Sequence, residues 1–244
     1  MPSTEVERFA SEGALISGGA RAILLQLGDP VVAAGVALHS DFSRRPLDRL
    51  NSTLSFVYAV MLGTPEQRAT VTAHVNRAHG PVKGAFDPRR QLWVAATLFD
   101  TADLVHRRIF GTGASDEVYA AYAPLATSLQ VPADLWPATR ADFDEYFAGA
   151  TAALEIGDEA RRVAGDLFRP AVAPLWLRAA LPLAALLTAS LLDDRLRTAY
   201  GMPWSAARRR RADAAWSVIR SVVRIAPAAL RRWPARHYLA RLRA

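Results

Sequence analysis

Apolar and polar residues follow a helical period along nearly the whole chain, and the alternation typical of strands is almost absent. Apolar side chains recur every three or four residues, as in a helix that packs one face against a core. The pattern therefore predicts an all-α fold. The predicted helices cover residues 19–28, 30–39, 46–62, 65–80, 88–110, 115–128, 139–154, 158–168, 174–192, 193–200 and 205–225, followed by a basic helical tail from about 227.

Three of these helices begin at a capping residue that is followed by proline. Proline suits the first helical position because its missing N–H would have no partner there and its φ angle is already helical. Thr64 with Gln67 also has the spacing of a capping box. The three predicted starts are Asp29-Pro30, Thr64-Pro65 and Asp87-Pro88.

The predicted helix over 88–110 is apolar on two faces. A helix with two apolar faces lies inside a fold. We therefore expect it at the centre of the protein, either as an ordinary core helix, which the pattern alone favours, or beside a bound cofactor. One face carries Leu92, Ala96, Phe99, Asp103, His106 and Phe110, and the other Val94, Leu98, Ala102, Val105 and Ile109.

The chain has 244 residues, about half of them apolar, and no cysteine. This length suits one large core or at most two small ones. The absence of cysteine excludes disulfides, zinc–thiolate sites, iron–sulfur clusters and a thiolate ligand to haem. A bound metal must therefore use histidine, carboxylate or hydroxyl ligands.

The positive charge is concentrated at the C-terminus. From Ser205 to Ala244 the chain has eleven arginines and one acid, Asp213, whereas the first 204 residues have a net charge of −3. We expect a body over 1–204 and a basic helical extension over 205–244, packed on or beside it. Such a tail is typical of helices that pack an apolar face on the body and leave a charged face in solvent. Binding to an anionic membrane surface is the alternative, and binding to nucleic acid is a weaker one.

No segment predicts secretion or a membrane span. The N-terminus has no basic region followed by an apolar stretch. The most apolar segment, 179–192, is shorter than the ~20 residues that cross a bilayer and contains Pro182. We expect it to be a buried helix, and the protein to be cytoplasmic.

His79 lies on an apolar stripe of its predicted helix, with Val71, Val75 and Val82. A neutral imidazole facing a core is either a good metal ligand or a histidine whose hydrogen bonds are satisfied by the core, and spacing alone favours the second. His106, which shares a face with Phe99, is the best rival ligand.

A second candidate surface lies on the predicted helix over 46–62. Arg49, Ser52 and Thr53 are spaced to share one face, at i, i+3 and i+4. An arginine with two hydroxyls could bind a polar group of a ligand. The same pattern is common on solvated helices, so by itself it is a weak signal.

Several segments together resemble the MpaB-type oxygenases, which are related to the latex-clearing proteins (rubber oxygenases). The resemblance spans about residues 15 to 205, and it rests on the order and spacing of the segments. They are Gly18-Gly19-Ala20-Arg21-Ala22 with Gln26 and Pro30, His39-Ser40-Asp41-Phe42, Arg49 to Thr53, Asn76 to Gly84, Leu92 to Asp100, and Tyr200-Gly201-Met202-Pro203-Trp204.

This resemblance implies a single-domain helical fold with a globin-like core that holds one b-type haem. It implies that His79, with Lys83 one turn later, is the proximal iron ligand, and that Lys83, Arg49 and Arg21 contact the cofactor. The other nitrogen of a ligating imidazole needs a hydrogen-bond partner. Asp100 and Asp103 are the candidates for that partner.

The distal side departs from the rubber oxygenases. Those enzymes carry an Arg-x-x-Lys-Thr pattern upstream of the histidine, and here the pattern has Arg49 and Thr53 with Ser52 at the lysine position. Asp29 also stands where many members have histidine. Arg49, Ser52 and Thr53 are the predicted catalytic residues, but the lysine difference separates the chain from the rubber-cleaving activity itself.

The leading hypothesis is a b-type haem oxygenase that uses dioxygen on a hydrophobic, isoprenoid or lipid-like substrate, by oxidative cleavage of a carbon–carbon double bond. A second hypothesis is a non-catalytic helical protein that binds an anionic membrane or nucleic acid through its basic tail. A third keeps the haem but makes the protein a peroxidase or dehydrogenase.

Overall fold

The computed structural model describes residues 2–39 and 45–242, and every regular element in that part of the chain is helical. The predicted all-α fold is therefore confirmed. Two short 3₁₀ helices cover Gly13–Gly18 and Ala133–Leu135. The α-helices are α1 (Thr4–Ala10), α2 (Gly19–Leu27), α3 (Pro30–His39), α4 (Pro46–Leu62), α5 (Pro65–His79), α6 (Pro88–Phe110), α7 (Asp116–Thr127), α8 (Arg140–Ala152), α9 (Asp158–Phe168), α10 (Leu175–Leu191), α11 (Asp194–Ala199), α12 (Ala206–Ile225), α13 (Ala228–Arg231) and α14 (Trp233–Arg241).

The predicted helix starts are confirmed by their hydrogen bonds. The capping box of Thr64 and Gln67 forms at the start of α5, and Asp29 and Asp87 accept backbone N–H bonds at the starts of α3 and α6. The helices that the pattern predicts agree with the structure to within two residues at each end. Helix α1 is not predicted, because a helix of two turns is too short to show the period.

Helix α6 is the centre of the fold, as its two apolar faces predict. Its N-terminal half packs with α4 and α7 around Phe99, which is fully buried. Trp93 contacts the cluster formed by α2, α3 and α9. Val105 and Ile109 pack with α10 and α12. Each of the three clusters packs different helices against α6. Contacts on several sides therefore fix the position of α6.

Polar contacts join α2 to α6 inside this core. Arg21 pairs with Asp100 at 2.7 Å, and its guanidinium also donates to Thr101 Oγ1 at 2.7 Å and to a backbone carbonyl of α10. Gln26 donates to Thr97 Oγ1 at 2.9 Å. Arg21 and Gln26 thus have partners inside the core, and Asp100 Oδ2 has the ion pair with Arg21 but no hydrogen bond among the described residues.

The basic C-terminal helices pack on the body. Trp216 of α12 is 1% exposed and donates its indole N–H to Ser190 Oγ at 2.9 Å. Tyr238 of α14 is buried and donates to Asn51 Oδ1 of α4 at 2.7 Å. The predicted boundary between 204 and 205 stays a prediction.

Within the described residues, no single helix is long and apolar enough to cross a membrane. The helical segments Gly13–Leu27 and Pro30–His39 together are long and apolar enough to do so, but the chain bends by 113° between them.

Candidate functional site

A cavity of about 540 Å³ lies between α3, α4, α5 and α6. This volume is within the ~300–1,000 Å³ range typical of small-molecule and cofactor sites. Its lining is mixed, because about half of the described residues that line it carry polar or charged side chains and the others are apolar or glycine. The apolar lining residues include Val31, Val32, Val36, Phe56, Val75, Ala78, Val82, Val94, Leu98 and Leu129.

The structure brings five of the residues predicted for the site to this one cavity. Arg49, Ser52 and Thr53 line it from α4, and His79 lines it from the end of α5. Lys83 lines it from the loop between α5 and α6. Helices α4 and α5 pack against each other, so groups about thirty residues apart in sequence meet around one space. Ser40 to Phe42, also part of the resemblance, lie outside the described residues.

His79 is half-buried in the cavity wall. Burial lowers the pKa of its imidazole, and the positive charge of Arg49 lowers it further. The ring is therefore neutral at physiological pH and keeps a lone pair for a ligand. Its Nδ1 lies 3.5 Å from Gln91 Nε2, and Phe86 packs edge-on against the ring at 6.3 Å between centroids.

The expectation that Asp100 or Asp103 supports His79 is wrong. Asp100 pairs with Arg21 in the core, and Asp103, fully buried, pairs with Arg140 and with Arg107. The neighbour of His79 is Gln91. The sequence held a signal for it, since Gln91 precedes Val94 and Leu98 at the spacing of one helical face, and that face lines the cavity.

Basic side chains outnumber acidic ones in the described part of the cavity lining, which includes Arg45, Arg49, Lys83 and Arg90 but one acid, Asp48. Arg49 keeps accessible surface inside the cavity, and burial lowers the pKa of its guanidinium, which stays cationic. Lys83 makes no ion pair within the described part of the chain. Arg90 also lines the cavity, but it pairs with Asp87 at 2.6 Å and with Asp29 at 3.3 Å. Asp29 thus has a structural role as a partner of Arg90.

Two more histidines line the same cavity. His39 ends α3, and His74 lies one turn before His79 on α5. The sequence favours other roles for both, since His39 suits the C-terminal end of its helix as a cation and His74 lies on the polar face of α5. Among the described residues, no group of three or more His, Asp or Glu side chains is placed to hold a metal ion.

Two glycines shape the wall. A Cβ on Gly35 would come within 2.7 Å of Val82 Cγ1, so only glycine lets α3 approach the loop after α5 this closely. Gly84, beside Lys83, has φ +76°, a left-handed conformation that other residues rarely adopt. The position of the loop that carries Lys83 therefore depends on Gly35, which lets α3 come close, and on Gly84, which allows the turn.

Arg21 and His106 lie elsewhere. Arg21 is held by Asp100 in the core and is not among the residues lining the cavity. His106 lines a second, smaller cavity and packs between Phe9 and Phe110, with Nδ1 2.7 Å from the carbonyl oxygen of Thr112. His79, the predicted ligand, and His106, its rival, therefore lie in different cavities. Arg21 lies apart from the other predicted site residues.

Replacing Arg49 with glutamine removes a positive charge beside His79, so we expect the pKa of the imidazole to rise toward its ordinary value. Burial remains, so the rise is partial. An NMR titration of the histidine ring protons measures it. Arg68→Gln, an exposed position on α5 outside the cavity, is the matched control. A His79 pKa that does not change in Arg49→Gln would contradict the proximity of the two groups.

Comparisons with known proteins find a family and two relatives for this chain. A family model described as "ER-bound oxygenase mpaB/B'/Rubber oxygenase, catalytic domain" matches residues 6–224. The uncharacterized protein Rv2237 of Mycobacterium tuberculosis and the uncharacterized protein Mb2261 of Mycobacterium bovis are each 32% identical to this chain over 223 residues. The alignment covers 84% of this chain and 87% of each relative.

No solved structure matches the chain significantly. The family model, however, covers α2 to α6, which contain nearly all of the cavity wall, and continues through most of α12. The chain therefore belongs to the family of mpaB-type and rubber oxygenase catalytic domains.

Proposed function

We propose that this protein is a b-type haem oxygenase that acts with dioxygen on a hydrophobic small molecule. The observation that carries the proposal is the position of His79, a neutral imidazole on the wall of a cavity that combines apolar residues with the cations Arg49 and Lys83. Membership of an oxygenase family supports the reaction class. The cofactor, the substrate class and the globin-like arrangement belong to the proposal.

The side chains around the cavity fit haem b. His79 would hold the iron of a bound haem, which needs a single ligand from the protein. Arg49 and Lys83 offer the positive charge that two propionates require. Apolar residues of α3 and α6 supply walls for a large flat ring.

Bound haem supplies the redox chemistry with dioxygen, and the protein supplies position and electrostatics. Burial and Arg49 keep His79 unprotonated, which holds its lone pair available. Gln91 has both an amide donor and an amide acceptor, so it can support either tautomer of the ring. Ser52 and Thr53 offer neutral hydroxyl donors inside the cavity, where the rubber oxygenases place lysine and threonine.

The reaction that fits the apolar part of the cavity wall is oxygenation of an isoprenoid or lipid-like chain. Cleavage of a carbon–carbon double bond into two carbonyl groups takes both oxygen atoms from one dioxygen and needs no outside reductant. Residues such as Val36, Val94 and Leu98 would hold the chain and exclude water.

Titration of the purified protein with haemin tests the proposal. We expect a Soret band that saturates at one haemin per chain, and dioxygen uptake when an unsaturated isoprenoid is added to the reduced holoprotein. A protein that takes up no haemin would overturn the proposal. Turnover that requires peroxide and consumes no dioxygen would replace the oxygenase with a peroxidase on the same cofactor.

A further inference from the structure

The outer side of α12 carries an apolar stripe that the core does not use. Val218, Val222 and Ile225 follow at i, i+4 and i+7 and are 63%, 54% and 82% exposed. The inner side of the same helix is already buried through Trp216 and Val223. The exposed stripe is therefore a second apolar face, which folding of this chain leaves uncovered.

Other exposed apolar side chains lie in the same C-terminal third of the chain. Leu230 and Trp233, in the two helices that follow α12, are 66% and 56% exposed. Helix α10, which packs against α12, exposes Leu175 and Trp176 at its N-terminal end. Of the fifteen large apolar side chains exposed among the described residues, nine lie between 172 and 233. Single exposed apolar residues scattered over a surface need no functional explanation, but this concentration of them in one part of the chain does.

Positive charge accompanies the apolar stripe. Arg209, Arg210 and Arg211 are exposed at the start of α12 and make no ion pair among the described residues. Arg211, seven residues before Val218, lies on the side of the stripe, whereas Arg220 and Arg224, each two residues after a stripe residue, are exposed on another side of the helix without a carboxylate partner in that part of the chain. One acid, Asp213, lies on α12, and Arg108 of α6 is 3.7 Å from it.

We propose that the outer face of α12 and α13 binds an anionic lipid surface. Exposed aliphatic side chains, exposed tryptophan and unpaired arginines are the combination that partitions into the headgroup region of such a membrane. Tryptophan prefers this interface because its ring is apolar and its N–H is polar. Charge complementarity favours lipid phosphates over a second copy of this chain, since two copies would bring like charges together.

This inference is independent of the proposed haem site. It concerns a surface formed by the C-terminal helices, and none of its residues lines the cavity of His79. A protein that binds no haemin could still bind the membrane, and the reverse holds as well. A vesicle experiment therefore tests the surface without any activity measurement.

Co-sedimentation of the full-length protein with vesicles tests the proposal. We expect binding to vesicles of phosphatidylcholine with phosphatidylglycerol, little binding to phosphatidylcholine alone, and weaker binding as salt is raised. The triple variant Arg209→Gln, Arg210→Gln, Arg211→Gln is expected to weaken binding by about tenfold or more. Val218→Ser, Val222→Ser, Ile225→Ser, at exposed positions, is expected to weaken it similarly.

A matched control removes the same charge elsewhere. Arg68→Gln, Arg89→Gln, Arg162→Gln changes three exposed arginines on α5, α6 and α9, and its binding should stay within about twofold of the unmodified protein. Equal weakening in this control would overturn the assignment to α12.

Two other occupants are outcomes of the same test, and either one overturns the proposal. Binding to duplex DNA or RNA without binding to anionic vesicles would make the surface a nucleic-acid site. A dimer in solution that dissociates in the Val218, Val222, Ile225 variant, again without vesicle binding, would make it an interface between two copies. Absence of binding to anionic vesicles overturns it in every case.

Discussion

His79→Ala is expected to abolish the Soret band of the haemin-reconstituted protein or to reduce it to that of unligated haemin. The physical reason is that His79 is the predicted axial ligand, and its burial keeps the ring neutral and able to donate its lone pair. Alanine leaves a space in the cavity wall without a replacement ligand. Free imidazole should enter that space and restore the band, which separates loss of a ligand from loss of the fold.

The control for this prediction is His106→Ala. His106 lies in a different cavity, between Phe9 and Phe110, so its removal should leave the haem spectrum unchanged. Absorption spectra of both variants, with circular dichroism to check helicity, decide the matter. If His106→Ala loses the band and His79→Ala retains it, His106 is the ligand and the cavity of His79 has another role.

Arg21→Leu is expected to destabilise the protein by about 3 kcal/mol or more, because it leaves the buried carboxylate of Asp100 without its cation. The side chains of Arg21 and Asp100 are only 9% and 15% exposed, so solvent screens the pair little. Thr101 and a carbonyl of α10 also lose a donor. For a chain of this size the melting temperature should fall by roughly 6–12 °C. Arg21→Leu, Asp100→Leu should recover much of the loss, since the buried charge is then gone.

The loss in Arg21→Leu should depend on pH. Burial raises the pKa of Asp100, and Arg21 opposes that rise. A carboxyl whose pKa is higher in the folded state binds more protons there than in the unfolded state. It therefore contributes stability below its unfolded pKa, and that stability is lost as pH rises through the folded pKa. Without Arg21 the folded pKa rises further, so the deficit should be larger at neutral than at acid pH.

Urea unfolding from pH 4 to pH 8 measures this dependence. A deficit that is constant across the range would exclude the charge of Asp100 as its cause. Haemin titration of the same variant tests the other prediction for Arg21, that it contacts the cofactor. The structure places its guanidinium in the core between α2 and α6, so we expect haemin affinity to be unchanged at a temperature where the variant is folded.

The candidate site was predictable to different degrees for different residues. His79 is identified by its position on an apolar stripe, and Arg49, Ser52 and Thr53 by a shared helical face. That these two groups line one cavity depends on how α4 packs against α5, which neither helix specifies alone. Gln91 was missed because its neighbour His79 belongs to another helix. The role of Asp100 was misassigned for the same reason, since its partner Arg21 lies 79 positions away in sequence.

The sequence by itself determined the helices, their starts and the family. Caps such as Thr64 with Gln67, and apolar periods such as those of α6, depend on contacts within four residues, which the local order of residues specifies. The tertiary structure alone decided which polar groups meet, which histidines line the cavity between α3 and α6, and which apolar stripe of α12 stays exposed. Those outcomes depend on the angles and offsets at which helices pack, and many distant side chains set them together.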